Sequence, residues 1–445
     1  MLKKGLDMKK KLSITIVMIC FLAAAFTQIA MANGITNYPP LCSAQFWQDK
    51  MSDGKNIVLN DTEKTAFNTS IIKKTSSMAD LKNYPLTMSR ADIKNMAQAS
   101  AVFPNNSYDE NGQLLSANEK NELLEKMNLA NLPQTQNLLM GIVVKHSNIR
   151  TMPTLSPVFS VPYASQFDMF QETVADANEP VIILNTSTDN NFYYIQMYNY
   201  RGWIASANVA IVQDRNKWLN YVQPENFLVV TGKSYTLPNS GENIFYQMGS
   251  KIVFTQKKGN IYRVIVPQRD DYGYLQENNI DITLDDNLHE GFLPYTRNNI
   301  IAEAFKYYGE PYGWGGLKNS VDCSSFIANI YRTVGIYLPR NADEQEQTYG
   351  RHYDFSGLNE AQIYQNILDN CKPGDALYMD GHTMLYLGNI NGTPYIIHAL
   401  GSYTRVSDGS YSKQRILRVV VSDLSLHLSS GNSFAAALTS AVSFH

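Results

Sequence analysis

Between Ser320 and Gly335 the apolar positions are Cys323, Phe326, Ile327, Ile330, Tyr331 and Val334. A spacing of three and four residues predicts a helix with one buried face. Ser320 or Asp322 can cap its start and Gly335 can end it, which puts Cys323 in the first turn. Unpaired backbone amides and the helix dipole favour negative charge there, so a thiol has a physical route to a lowered pKa. The alternative is a small buried hydrophobe, the usual fate of a free cysteine. Downstream, Gly381-His382-Thr383-Met384-Leu385-Tyr386-Leu387-Gly388 sets a histidine at the head of a strand. A thiol with an imidazole partner is the arrangement of a base-activated nucleophile.

A second histidine, His398, follows a hairpin signal. Thr383 to Asn389 and Thr393 to Leu400 read as strands around Asn391-Gly392. A two-residue turn sets His398 opposite Leu385, on the other face from His382. A three-residue turn, Ile390-Asn391-Gly392 with Gly392 left-handed, sets it opposite Met384 and on the face of His382. If the histidines work together, the three-residue turn with its bulge is expected.

The run Tyr312-Gly313-Trp314-Gly315-Gly316, then Asp322-Cys323-Ser324-Ser325-Phe326, Leu338-Pro339-Arg340, Gly381-His382 with Tyr386-Leu387-Gly388, and His398-Ala399 resembles the NlpC/p60 cell-wall cysteine peptidases. The resemblance covers residues 293–445. It implies a papain-like α+β domain that cleaves the γ-D-glutamyl–diamino-acid bond of peptidoglycan stem peptides. It implies Cys323 as nucleophile, His382 as general base and His398 as the residue orienting that base. Tyr312 matches a tyrosine near the oxyanion site, Asp322 and Ser324 match residues holding the substrate's amino end, and Arg340 matches a mainly structural arginine. Some relatives with free-peptide specificity carry a serine two residues after that arginine; here it is Ala342, and if that serine contacts substrate in them, one hydrogen bond is missing here. Two rival readings stand beside this one: an amidase or acyltransferase using the same Cys–His pair, and a wall-binding protein without turnover.

Lys9, Lys10 and Lys11, the apolar run Leu12 to Phe26, and Ala30-Met31-Ala32 form a secretory signal peptide over residues 1–32. A membrane anchor is the other reading, but the run is short for a span. The expected location is exported, periplasmic or secreted, with no integral membrane segment after cleavage. Three cysteines then remain, Cys42, Cys323 and Cys371, and an odd number suggests a free thiol. If a disulfide forms, Cys42 with Cys371 leaves Cys323 free. The other histidines, His146, His289, His352, His427 and His445, show no metal spacing, and no cofactor is called for. A net charge of −3 gives no electrostatic case for nucleic acid.

Length predicts several domains. Residues 33–135 read as mostly helical, with Asn60-Asp61-Thr62-Glu63 as a capping box. Residues 136–215 and 216–292 read as two small barrels, with short strand-like runs such as Val181-Ile182-Ile183-Leu184 and Ile261-Tyr262-Arg263-Val264. Their layout resembles two bacterial SH3-like barrels placed before an NlpC/p60 domain. In relatives with that layout the first barrel closes one end of the cleft, and a tyrosine matching Tyr200 reaches the substrate's free amine. That implies stem peptides with a free N-terminal L-alanine. Glu172 is a candidate carboxylate for the same amine. In residues 293–445 a first helix starts at Thr296, Arg415 to Val421 reads as a late strand, and the tail from Ser429 has no assigned role. The expected protein is a monomer of multidomain α+β class: a helical N-terminal segment, two SH3-like β-barrels and a C-terminal papain-like catalytic domain.

Overall fold

The computed structural model describes residues 34–239 and 241–445; the segment read from sequence as a signal peptide lies outside them. The N-terminal region holds helices joined by long loops, and is less helical than its sequence suggests. Helix α1 (Asp61–Lys74) has the expected capping box: Asn60 Oδ1 accepts the Glu63 amide at 3.1 Å and the Glu63 carboxylate accepts the Asn60 amide at 2.8 Å. Ser89 and Ser116 likewise cap α2 (Arg90–Ser100) and α3 (Ala117–Lys126). These helices share no core of their own. Leu41, Trp47, Phe67 and Ile71 are buried in the C-terminal domain, whereas Leu81, Ile93, Ala97, Met127 and Leu132 are buried against the first barrel. Each such side chain contributes about 1.5–3 kcal/mol on burial, so the region clips the two bodies together.

The first barrel contains β1 (Leu139–Val143), β2 (Ser147–Arg150), β3 (Gln171–Ala175), β4 (Pro180–Thr186), β5 (Phe192–Gln196), β6 (Arg201–Ala205) and β7 (Val209–Val212). They pair antiparallel in the order β7-β1-β4-β5-β6-β2-β3. Alternation along the strands puts Ile182, Tyr194 and Trp203 on one face and Ile183, Ile195 and Ile204 on the other, and both faces are buried. Residues 227–290 form a second β unit, a five-stranded antiparallel sheet with a separate two-stranded hairpin, around Leu228, Tyr246, Tyr262 and Val264.

In the C-terminal domain α4 (Arg297–Lys306) starts at Thr296 as read from sequence. Helix α5 (Cys323–Thr333) is capped by Asp322, and Gly335 follows it at φ +82°. Helix α6 (Ala342–Gln347) precedes the main sheet, and helix α7 (Glu360–Asn370) lies between its first two strands along the chain. Its strands are β8 (Arg351–Asp354), β9 (Ala376–Met379), β10 (His382–Ile390), β11 (Thr393–Ser407), β12 (Ser410–Asp423) and β13 (Leu438–Ser443), in the order β8-β13-β9-β10-β11-β12. The tail without an assigned role is therefore an internal strand, with Ala441, Val442 and Phe444 buried. Its small residues, buried on both faces, lack the alternation that marks a half-buried strand.

The hairpin of β10 and β11 corrects one expectation. Ile390 pairs with Thr393, so the turn is the two-residue Asn391-Gly392, at φ +52° and +82°. The register shift lies instead at Leu387, between the Tyr386–Ile396 and Gly388–Tyr395 pairs. It sets Leu385 opposite Ile397, and continuing that register returns His398 to the face of His382. The bulge exists, but four residues from the turn. The disulfide considered from sequence does not form: Cys42, Cys323 and Cys371 are free thiols. Among the described residues no helix is long and apolar enough to cross a membrane.

Candidate active site

Cys323 is the first residue of α5. The Asp322 carboxylate accepts the Ser325 amide at 2.9 Å, and the Ser325 hydroxyl accepts the Asp322 amide at 2.9 Å. This capping box fixes the angle at which the helix leaves its loop. Helix α5 packs on β10 and β11, which brings Cys323 Sγ to the Thr383 amide, next to His382, and to the Tyr312 hydroxyl. His382 Nε2 and His398 Nδ1 are 2.8 Å apart, and His398 Nε2 is 3.2 Å from Ser422 Oγ. One proton assignment serves a base: His382 Nε2–H donates to His398, His398 Nε2–H donates to Ser422, and His382 Nδ1 is left to accept. Phe434 closes the apolar side, with its ring 6.1 Å from that of His382 and 6.2 Å from that of His398.

The charge state differs from the sequence expectation. Burial, helped by the Asp322 carboxylate, pushes the Cys323 thiol up to about 11, against the Thr383 and Ser324 amides and Arg340. Burial also takes the His382 imidazole down to about 4. Desolvation outweighs the first-turn amides, so the resting pair is a thiol and a neutral imidazole. Tyr312 is held above its ordinary value by burial, then by Cys323 and Asp322, and stays a donor.

Arg340 does more than its structural assignment implied. Its guanidinium donates to Thr173 Oγ1 at 2.8 Å, Ser324 Oγ at 2.8 Å and Asp322 Oδ2 at 2.6 Å. Thr173 is on β3, so one buried cation ties the first barrel to the start of α5. Two neighbours on β3 add to this. Gln171 Nε2 donates to the Gly315 carbonyl at 2.8 Å, and Glu172 accepts a short hydrogen bond from the Tyr200 hydroxyl. Burial raises Glu172, against the Tyr200 bond and Arg340.

The structure thus brings together Cys323, His382, His398, Tyr312, Asp322, Ser324, Tyr200 and Glu172. Cys323, His382, Tyr312, Tyr200 and Glu172 are partly exposed, whereas Asp322, Ser324, His398 and Arg340 are buried behind them. Sequence reading missed Ser422, Thr173, Gln171 and Phe434, none of which stands in a recognisable motif. His352 lies apart on the edge strand β8, bonded to the Thr348 carbonyl at 2.8 Å.

A pH prediction follows from the two shifts. The rate constant kcat/KM reports the free enzyme, so its acid limb should fall near pH 4, not near 6.5. His382 and His398 both bind protons more weakly folded than unfolded. The unfolded chain therefore holds more protons between about pH 6.5 and 4, and stability should fall as pH drops through that window. A pH–rate profile with a parallel series of thermal midpoints checks both; an acid limb at 6.5 would mean that His382 is solvated.

Comparison with known proteins places two parts of the chain. Residues 309–423 match the NlpC/P60 family and residues 157–205 match the SH3 domain of SH3b1 type. A probable endopeptidase p60 of Listeria welshimeri is 33% identical over 96 residues, 20% of this chain and 16% of that protein. A bifunctional muramidase/DL-endopeptidase of Bacillus subtilis is 44% identical over 80 residues, 15% of this chain and 24% of its own length. A gamma-DL-glutamyl hydrolase of the same species is 33% identical over 99 residues, covering 20% and 21%. The matched segment is thus under a quarter of each of these relatives. An NlpC/P60 endopeptidase of Photobacterium damselae subsp. piscicida superimposes with a TM-score of 0.74 over 94% of this chain and 98% of that one, at 18% identity. The whole multidomain arrangement is therefore a shared fold.

Proposed function

We propose that this chain, which carries an NlpC/P60 domain behind an SH3b-type barrel, is an exported cysteine endopeptidase. Its substrate is the γ-D-glutamyl–diamino-acid bond of peptidoglycan stem peptides that carry a free N-terminal L-alanine. The observation that carries this reading is the wall the first barrel builds beside Cys323, where the Tyr200–Glu172 pair stands next to Arg340, Asp322 and Ser324. A half-buried carboxylate there suits an ammonium group, and a stem peptide still joined to glycan has none at that end.

The chemistry is acyl transfer. His382 Nδ1 takes the thiol proton as Sγ attacks the γ-carbonyl carbon. The oxyanion meets the Cys323 amide, which has no helical partner at this position, and the Tyr312 hydroxyl. Collapse forms a thioester and expels the diamino-acid amine, which receives the proton from His382. Water then attacks the thioester with His382 again as base, and the thiol is restored.

The test uses L-Ala-γ-D-Glu-meso-diaminopimelate, free and N-acetylated, with products read by mass spectrometry. Losing a buried charge pair costs roughly 2–5 kcal/mol, so the free peptide should be preferred by about 100-fold. Glu172→Gln should shrink that preference to about tenfold or less. Equal rates on both peptides would keep the enzyme and remove the amine gate. Cleavage of neither would leave the amidase, acyltransferase and wall-binding readings.

A further inference from the structure

The loop between β2 and β3 carries a strained aromatic. Phe167 has φ +62°, the left-handed region that bulky side chains rarely adopt. The backbone after it is pinned through the Asp168 carboxylate and carbonyl. One Asp168 carboxylate oxygen accepts the Val158 and Phe170 amides at 3.0 Å each; the other accepts Arg150 Nη1 at 2.8 Å. The Asp168 carbonyl accepts the Trp314 indole N–H at 2.9 Å. Arg150 also donates to the Ser156 carbonyl at 2.9 Å, which closes the loop on itself. A bulky residue held at such a φ by this many bonds is a conformation imposed by its surroundings, and such residues concentrate at functional sites.

The surroundings aim the ring at the cleft. Its centroid is 6.1 Å from that of Tyr312 and 5.3 Å from that of Trp314, and the side chain is only half-buried. Tyr312 in turn meets Cys323 Sγ. Phe167 therefore reaches the nucleophile through Tyr312, while Glu172 and Tyr200 reach it through Arg340, Asp322 and Ser324. The two approaches use different neighbours. Four residues lie between Phe167 and Glu172, so the two stand on one stretch of the barrel no more than about 18 Å apart.

We propose that Phe167 determines specificity for the leaving residue: its ring packs on the aliphatic side chain of the diamino acid that the reaction releases. The assignment rests on the peptidase reading above, with the amine end at Glu172 and the leaving end across Cys323. Its chemistry is that of an apolar wall, which discriminates by methylenes and not by charge.

The test compares L-Ala-γ-D-Glu-X with X as glycine, L-lysine and meso-diaminopimelate, in the wild type and in Phe167→Ala, Phe167→Gly and Phe167→Leu. The wild type should prefer the two long residues over glycine. Phe167→Ala should lose about tenfold in kcat/KM on those two, with less than a twofold change on glycine, and Phe167→Leu should recover most of the loss. Phe167→Gly relieves the backbone while removing the ring. It should match Phe167→Ala in selectivity with an equal or higher thermal midpoint, which separates ring from strain. Equal losses on all three peptides would make Phe167 a support for Tyr312 and overturn the assignment, as would unchanged selectivity. If the wild type cleaves none of the three, the peptidase reading itself fails and this inference fails with it.

Discussion

Cys323→Ala should fold like the parent protein and cleave nothing. Alanine suits the first position of a helix, and the cap that starts this helix is made by Asp322 and Ser325, not by Cys323. The thiol is partly exposed, so its loss opens no sealed cavity. What disappears is the sulfur that forms the thioester in the proposed mechanism. Removing the nucleophile of a base-activated pair should lower turnover by at least about 10⁴-fold, with a stability change within about 1 kcal/mol. Product formation and the thermal midpoint read these two quantities separately. Residual turnover within tenfold of the parent would point to another nucleophile.

Arg340→Met should do less harm to the reaction and far more to the fold. Both Arg340 and Asp322 are buried, and their 2.6 Å contact is one of three bonds the guanidinium makes. Burial opposes the Asp322 charge; Arg340, with the Ser325 amide and hydroxyl, overcomes it and holds the carboxyl below its usual range. Methionine fills similar volume but leaves that carboxylate without its cation at the cap of α5. Breaking one side of a buried pair costs about 3–5 kcal/mol. Asp322 should then take up a proton at higher pH, and kcat should fall about 100-fold as the helix start and the Thr173 contact with the barrel loosen together. Arg340→Lys should recover part of each, because an ammonium restores the charge without the planar fork. Adding Asp322→Asn to Arg340→Met should restore stability without restoring rate. A loss below 1 kcal/mol in the single variant would show that the barrel and the helix are not coupled through this residue.

What could be read from the sequence was whatever depends on local order. The helix from Cys323, its Asp322 cap, the Asn60 box and the Thr296 start are all spelled by residues within one or two turns of each other. The histidine pair needed more. Asn391-Gly392 favours the two-residue turn it in fact makes, and that turn alone would have put His398 on the wrong face. The compensating bulge at Leu387 answers to packing across the sheet, which no short window reveals. The same limit hid the strand at Leu438–Ser443 and the reach of Arg340, whose partners are 16, 18 and 167 residues away. The lowered thiol pKa expected at a helix start failed for a related reason: the dipole is local, and the burial that opposes it comes from residues far along the chain.

Strand β3 has a consequence for inheritance. Gln171 and Thr173 face the catalytic domain and fasten the two bodies, while Glu172 between them turns to Tyr200. Attachment and the proposed amine contact come from three consecutive residues, with Glu172 as the extra residue of a bulge between the Ile149–Thr173 and Arg150–Gln171 pairs. An insertion or deletion of one residue in this strand would displace both sets of contacts at once. A barrel borrowed from another protein would bring neither. A barrel without Gln171 and Thr173 would lose both of these bonds to the C-terminal domain.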